Sequence, residues 1–230
     1  MKSGFVAIVG RPNTGKSTLI NALVGQKVAI TSHHPNTTRH AIRGIVNGPD
    51  FQAVLVDTPG MHKPRTLLGR RLNEVVTDSL ESVDIVIMTF PANEKTGAGD
   101  EHILNIIKNS RAKKIAVVTK IDTVAKETLP VRLMEVGGLT DWTEIIPVSA
   151  VKALQVDVLS NLLSKHLPEG PKLYPEDQKS DQTLEKLICE HIREAAIKGV
   201  HQELPHSITV TIDEMGKRAG KDLTDIHATI

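Results

Sequence analysis

The sequence predicts an α/β fold built on a largely parallel sheet. Three features predict it: short β-branched apolar runs, helix-length amphipathic segments between them, and glycine- or proline-containing turns where one gives way to the other. The strand candidates are Phe5–Val9, Gln52–Val56, Asp84–Thr89, Lys114–Thr119 and Glu144–Val148, near-continuous apolar runs of the kind a sheet buries on both faces. The helix candidates are Lys16–Val24, Leu67–Leu80, Asp100–Asn109, Leu129–Val136 and Val156–His166. Thr37–Val46 supplies a further strand, entered from a polar loop.

The alternation stops at Leu167–Asp181, where Pro168, Pro171 and Pro175 accompany a glycine and several charges. Such a segment reads as an interdomain linker, dividing the chain into domains 1–167 and 182–230 joined by residues 168–181. Beyond it, Gln182–Lys198 has helical apolar spacing at Leu184, Leu187, Ile188, Ile192, Ala195 and Ala196. Ser207–Ile212 and Asp225–Ile230 then alternate as strands, with Ile226, Ala228 and Ile230 on one face.

Composition excludes several classes. The 230 residues suit one to two domains, and 40% hydrophobic with 24% charged content suits a packed core. No apolar run approaches the ~18 residues of a spanning helix, and the apolar stretch Phe5–Val9 is too short for a secretory signal. One cysteine, Cys189, excludes an internal disulfide framework and points to a reducing, cytoplasmic setting. A net charge of +1 provides no global field for nucleic acid, and the five aromatic residues are too scattered to form a base-stacking platform.

The chemistry begins at Gly10-Arg11-Pro12-Asn13-Thr14-Gly15-Lys16-Ser17, followed by Thr18, with P-loop spacing between a strand and a helix. Glycines let backbone N–H groups close around phosphate oxygens, and the helix N-terminus adds a favourable dipole. Lys16 is expected on the β- and γ-phosphates and Ser17 on Mg²⁺. Asp57-Thr58-Pro59-Gly60 follows a strand about 40 residues later; its carboxylate suits Mg²⁺ held through water, and the Gly60 N–H suits the γ-phosphate. In Thr37-Thr38-Arg39, Thr38 is the candidate to complete the Mg²⁺ shell, while nearby His33, His34 and His40 lack the spacing of a metal site. Thr119-Lys120-Ile121-Asp122 and Val148-Ser149-Ala150 end successive strands, where a base would sit. The Asp122 carboxylate can accept from guanine N1–H and its 2-amino group, a donor pair that adenine lacks. The Lys120 stem suits the purine face, and the Ala150 N–H suits O6. An ATP-using enzyme is disfavoured by Asp122.

The ordered set GRPNTGKS, TTR, DTPG, TKID and VSA resembles the TrmE–Era–EngA class of translation-factor GTPases. TTRH, DTPGMHKP and the stretch LPEGPKLYPEDQ resemble its Era family, and IREAAIKGVHQELPHSITVTIDEM resembles the opening of that family's KH domain. The resemblance implies a P-loop NTPase domain followed by a partial KH-like α+β domain. It implies GTP as substrate, Mg²⁺ as cofactor, and GTP or GDP as ligand. It also implies partnership with small-subunit ribosomal RNA and the small ribosomal subunit during assembly, and peripheral membrane association. By the same resemblance, Lys16, Thr38 and Gly60 are the catalytic candidates and Asn13 is a ligand for K⁺. The rival reading is an RNA-binding assembly module for which GTP is only a structural ligand. Two features depart from the family pattern: Thr119 replaces the usual Asn, and no GxxG follows Gln182. The RNA-reading half of the KH domain is therefore expected to be missing from this chain, leaving Lys217, Arg218 and Lys221 to provide salt-sensitive affinity.

Overall fold

In the computed structural model the described residues are 1–31, 42–58, 80, 82–199, 208–218 and 221–230. Their strands are β1 (Lys2–Val9), β2 (Ile42–Asn47), β3 (Phe51–Asp57), β4 (Ile85–Pro91), β5 (Lys113–Thr119), β6 (Glu144–Pro147), β7 (Thr211–Lys217) and β8 (Thr224–Thr229). Their helices are α1 (Lys16–Val24), α2 (Ala98–Ile107), α3 (Leu129–Gly137), α4 (Val156–His166) and α5 (Leu184–Gly199). Of the expected helix Leu67–Leu80 only Leu80 is among the described residues, and the expected strand Thr37–Val46 is described from Ile42, where β2 begins.

The first six strands form one sheet in the order β2-β3-β1-β4-β5-β6, parallel throughout except for the antiparallel β2–β3 pair. Strands β3 and β4 are buried at every position, as strands covered on both faces must be. Because side chains alternate, Val6 and Ile8 join Leu55, Ile87 and Val117 beneath Leu19 and Ile20 of α1 and Leu159 and Leu163 of α4. Ala7 and Val9 face the other way, with Met88, Phe90 and Val118 against Ile103 and Ile107 of α2 and Val136 of α3. Strand β1 lies between β3 and β4, and the chain passes from one side of it to the other, which opens a crevice at the carboxyl ends. The register sets Ile8 beside Asp57, Val9 beside Met88 and Pro91 beside Thr119, so the ends of β1, β3, β4 and β5 form a single rim.

Several strands exceed their apolar runs. Lys2 and Ser3 extend β1 because their backbone pairs with Phe51 and Gln52, a contribution that hydropathy does not register. Helix α2 starts two residues earlier than expected because the Asp100 carboxylate accepts the Gly97 N–H at 3.0 Å and caps the preceding turn. Of the expected strand Ser207–Ile212, Ser207 lies outside the described residues, and β7 begins only at Thr211 and runs on through Gly216 and Lys217. The β7–β8 ladder shifts register between Ile212 and Glu214. This shift brings Ile212 and Met215 to the half-buried side although they are three apart, so no period of two can be read there. Ile226 and Ile230 of the expected apolar face are exposed.

Residues 168–181 do not hang free as a linker would. Ser3 donates its N–H to the Pro168 carbonyl, Gly170 to Met1, Ile45 to Lys179 and Asp181 to Arg43, so the segment runs along the sheet from β1 to the β2 edge. Gln52 pins its middle: Oε1 accepts the N–H groups of Leu173 (2.7 Å) and Tyr174 (2.9 Å), while Nε2 donates to the Tyr174 carbonyl (2.9 Å) and Asn47 Oδ1 (2.7 Å). A glutamine in an otherwise apolar strand thus has all its hydrogen-bonding capacity engaged. Gln52→Ala is expected to cost about 1–3 kcal/mol and to accelerate amide exchange at Leu173 and Tyr174 while the core strands stay protected. Unchanged exchange at those two amides would show that Gln52 does not hold the segment.

Candidate nucleotide site

The loop between β1 and α1 turns at Pro12–Asn13, with Asn13 in the left-handed region at φ 63° and exposed at the rim. Gly15 precedes α1 at φ 94°, and no side chain caps the helix, so the N-terminal amides face the crevice. Gly10 is required by contact: a Cβ there would lie 2.2 Å from Thr89 Oγ1 and 2.7 Å from Thr14 Oγ1. Lys16 is buried, and its Nζ donates to the carbonyls of Gly10 (3.1 Å) and Arg11 (2.8 Å), drawing the loop around the ammonium. Burial pushes the Lys16 pKa down to about 8, with the Asp57 charge opposing that shift.

The Ser17 hydroxyl donates to Asp57 Oδ2 at 2.9 Å, so the end of β3 and the first turn of α1 share one oxygen-rich corner. Thr58 is buried and donates to the Ile8 carbonyl at 2.6 Å, which fixes the exit from β3. Thr18 lies in the first turn of α1 beside Ser17. Thr38, Pro59 and Gly60, with neighbouring Thr37, Arg39, Met61 and His62, lie outside the described residues, as do His33, His34 and His40. Arg11 contributes its carbonyl to the loop, but its side chain turns away: Nε donates to Asp100 at 2.9 Å and the guanidinium reaches Glu94 at 3.0 Å.

At the base end, Asp122 lies in a short 3₁₀ turn that Lys120 enters at φ 57°. Thr123 donates both its N–H (3.0 Å) and its hydroxyl (2.7 Å) to the Lys120 carbonyl, which stabilises this left-handed entry. Ser149 donates its hydroxyl to Asp122 Oδ1 at 2.5 Å and accepts the Lys152 N–H at 3.1 Å. Reciprocal backbone bonds between Ser149 and Leu154 close this loop. Ser149 therefore orients Asp122, while Ala150 is partly buried beside it, packed against the core.

Thr119 faces the phosphate loop. Its hydroxyl is buried and donates to the Thr14 carbonyl at 2.7 Å, joining segments 105 residues apart. Thr89 completes the brace from β4, 2.7 Å from the Thr14 hydroxyl and donating to the Val9 carbonyl at 3.2 Å. None of the sequence motifs includes Thr89. Its signal was a lone hydroxyl in the apolar run Ile85–Pro91 at the strand's carboxyl end.

A strand–loop–helix cradle around a buried lysine, an acidic strand end beside its serine, and a carboxylate held at the base end define a P-loop GTPase. Comparison with known proteins agrees: the family described as 50S ribosome-binding GTPase matches residues 5–120. GTPase Era of Mycobacterium leprae (strain TN) is 55% identical over the whole chain, which spans 78% of that relative. GTPase Era of Mycolicibacterium smegmatis is 54% identical, also over the whole chain and 78% of the relative. A crystal structure of an Aquifex aeolicus Era variant bound to GDP·AlF4⁻ superposes with a TM-score of 0.93 at 37% identity, covering 99% of this chain and 78% of the other. A structure of Era with MgGDPNP and nucleotides 1506–1542 of 16S ribosomal RNA gives 0.87 at 40% identity, with coverages of 95% and 74%. The chain belongs to the Era family of GTPases.

Three outcomes are expected from this geometry. Because the Lys16 pKa falls from 10.5 unfolded to about 8 folded, the unfolded chain binds more protons between those values. Stability of the nucleotide-free protein should therefore rise from pH 8 toward 10.5, by roughly 3 kcal/mol in all. GDP affinity should run the opposite way, weakening above about pH 8 as the ammonium is lost. Calorimetry between pH 7 and 9 with Lys16→Met as control checks this, since the variant should lack the dependence. Thr119→Val should loosen the loop and weaken nucleotide binding about five- to tenfold, one hydrogen bond's worth, with Thr119→Asn restoring it. Full affinity in Thr119→Val would remove the brace from the account.

Proposed function

We propose that this chain binds GTP with Mg²⁺ across the crevice and hydrolyses the γ-phosphate bond by in-line attack of water. The observation that carries the reading is the pairing of the two ends: a buried ammonium among loop carbonyls, and the Asp122 carboxylate fixed by Ser149. Ser17 Oγ and Asp57 Oδ2 offer adjacent hard oxygens, the donor type that Mg²⁺ takes. Ser17 would hold the ion directly, Asp57 through water, and Thr38 would join them. When bound, the ion neutralises charge on the β- and γ-phosphates.

The chain's own groups bind and position. The loop amides of Asn13, Thr14, Gly15, Lys16, Ser17 and Thr18 face the phosphates, and Lys16 exchanges its carbonyl partners for phosphate oxygens. The Gly60 N–H would meet the γ-phosphate. Asn13, at the exposed rim in its left-handed turn, is the candidate K⁺ ligand beside that phosphate. Asp122 accepts the guanine donors, Lys120 covers the base and the Ala150 N–H meets O6.

The relative captured with GDP·AlF4⁻ carries a mimic of the transferring phosphoryl group. That favours hydrolysis over GTP as a structural ligand alone. The relative solved with 16S ribosomal RNA supports small-subunit ribosomal RNA as this chain's partner and small-subunit assembly in the cytoplasm as its setting. Among the described residues no helix is long and apolar enough to cross a membrane. We read residues 1–167 as the GTPase domain, 168–181 as a connecting strap and 182–230 as a KH-like module. Of the basic residues expected to attract RNA, Arg218 is engaged with Asp225, leaving Lys217 and Lys221 as the more available charges.

Asp122→Asn is expected to lower GTP affinity at least about a hundredfold and to favour a xanthine nucleotide, because the amide N–H meets the 2-oxo oxygen that stands in place of guanine's 2-amino group while its oxygen still accepts N1–H. Competition among GTP, ATP and XTP tests it, and equal binding of ATP and GTP by the unmodified chain would refute the base assignment. Phosphate release should be faster in potassium than in sodium, and Asn13→Ala should abolish the difference. Equal rates in the two salts would remove the monovalent ion.

A further inference from the structure

Thr89 and Thr119 brace one limb of the phosphate loop, at Thr14. The other limb, Gly10 and Arg11, supplies the two carbonyls that hold Lys16, and the Arg11 side chain ties it to its surroundings. Arg11 Nε donates to Asp100 at 2.9 Å, and Nη2 donates to Glu94 Oε2 at 3.0 Å. The two carboxylates differ in weight. Glu94 is 41% exposed, and exposed ion pairs contribute little. Asp100 is fully buried, where a carboxylate is stable only with partners of fixed geometry. It has the Arg11 guanidinium and the Gly97 N–H, which donates to Oδ2 at 3.0 Å.

Asp100 also stands on a fixed element. It lies in the first turn of α2, whose Ile103, Leu104 and Ile107 are buried in the core. The approach to α2 is pinned from α3: Arg132 Nη1 donates to the Thr96 hydroxyl at 2.9 Å, and Glu135 Oε1 accepts the Thr96 N–H at 3.2 Å. The stem of Arg11 lies close against α2 as well. A Cβ at Gly99 would stand 2.7 Å from Arg11 Cδ and 3.1 Å from Cγ, so glycine leaves room for the arginine. The helix receives this side chain by shape and by charge.

We infer that Asp100 is a positioning residue for the phosphate site: by holding the Arg11 side chain outside the loop, it fixes the Arg11 carbonyl inside it. That carbonyl accepts from Lys16 Nζ at 2.8 Å and from the Thr14 hydroxyl at 2.9 Å. Glycines give the loop the freedom to close, and the same freedom opens it when the site is empty. A limb held from α2 loses less conformational freedom when phosphate binds. The inference rests on the loop being the phosphate site. It concerns phosphates common to GDP and GTP, so both nucleotides respond alike. The sign of the effect separates position from charge. Neutralising a carboxylate beside an anion site would by charge alone tighten nucleotide binding, whereas releasing Arg11 weakens it.

The test measures dissociation constants for GDP and a non-hydrolysable GTP analogue on the full chain, well below the melting temperature of each variant. Asp100→Asn keeps an oxygen for the Gly97 N–H but turns an amide donor toward Arg11 Nε. It should weaken both nucleotides about three- to tenfold, by factors that agree within about twofold. Gly99→Ala leaves the carboxylate in place and displaces the Arg11 stem. It should reproduce the loss in part, while alanine's helix propensity protects stability. Adding Asp100→Asn to Arg11→Met should cost no more affinity than Arg11→Met alone. Unchanged or tighter binding in Asp100→Asn overturns the inference, as does a lowered melting temperature with affinity intact. Losses that multiply in the double variant overturn it too. If Asp100→Asn does not fold, Gly99→Ala decides by the same criterion. Lys16→Met runs alongside. Full affinity there overturns the phosphate-site reading and the inference with it. A loss there without one in the Asp100 and Gly99 variants overturns the positioning role alone.

Discussion

The ammonium of Lys16 lies where almost no water reaches, and burial of a charge must be compensated by partners of fixed geometry. In this protein the partners are backbone carbonyls of the loop that the lysine itself closes. Carbonyls converge in that way only if the loop folds tightly over the end of β1, which requires Gly10 against Thr89 and a left-handed Gly15 before α1. The same fold turns the first amides of α1 into the crevice. The cost of burying one charge therefore dictates the shape of the loop, and that shape makes the anion site.

The loop is braced by its neighbours more than by itself. Thr119 from β5 and Thr89 from β4 reach Thr14 from two sides, and Ser17 meets Asp57 from β3. Each brace stands at the carboxyl end of a strand whose body is apolar and buried. The sheet supplies rigidity, and the polar residues appear only where the strands stop. The other end of the crevice follows the same economy, with Asp122 in the turn after β5 and Ser149 after β6 held to each other. Strand order then matters chemically, because β1 between β3 and β4 brings residues 10, 57, 89 and 119 to one rim.

The segment after residue 167 extends this logic outward. Gln52 sits in a central run of apolar side chains, but its amide is satisfied entirely by the strap and by Asn47. The strap in turn delivers α5 to the α1–β2 connection, where Glu194 meets Lys27 and Thr31. What composition marks as linker is, in three dimensions, a segment bonded to the sheet at separate points along its length.

The sequence by itself determined the alternation of strands and helices, the loop from Gly10 to Ser17, and the positions of Asp57 and Asp122. Each of these is written locally: apolar runs and glycine spacing act over a few residues, and α1 and α4 end where their helical periodicity ends. Tertiary structure decided what those residues touch. Thr119 belongs to a base-recognition tetrapeptide in the sequence, yet its hydroxyl turns to Thr14, 105 residues earlier. Arg11 belongs to the phosphate loop in the sequence, yet its guanidinium is taken by Asp100 and Glu94. The register shift in the β7–β8 ladder, the backbone pairing that lengthens β1 and the strap on Gln52 are likewise set by partners remote in the chain. Hydrogen-bond satisfaction in a buried interior is a property of neighbours in space; periodicity records which face a residue presents, but not which donor meets it there.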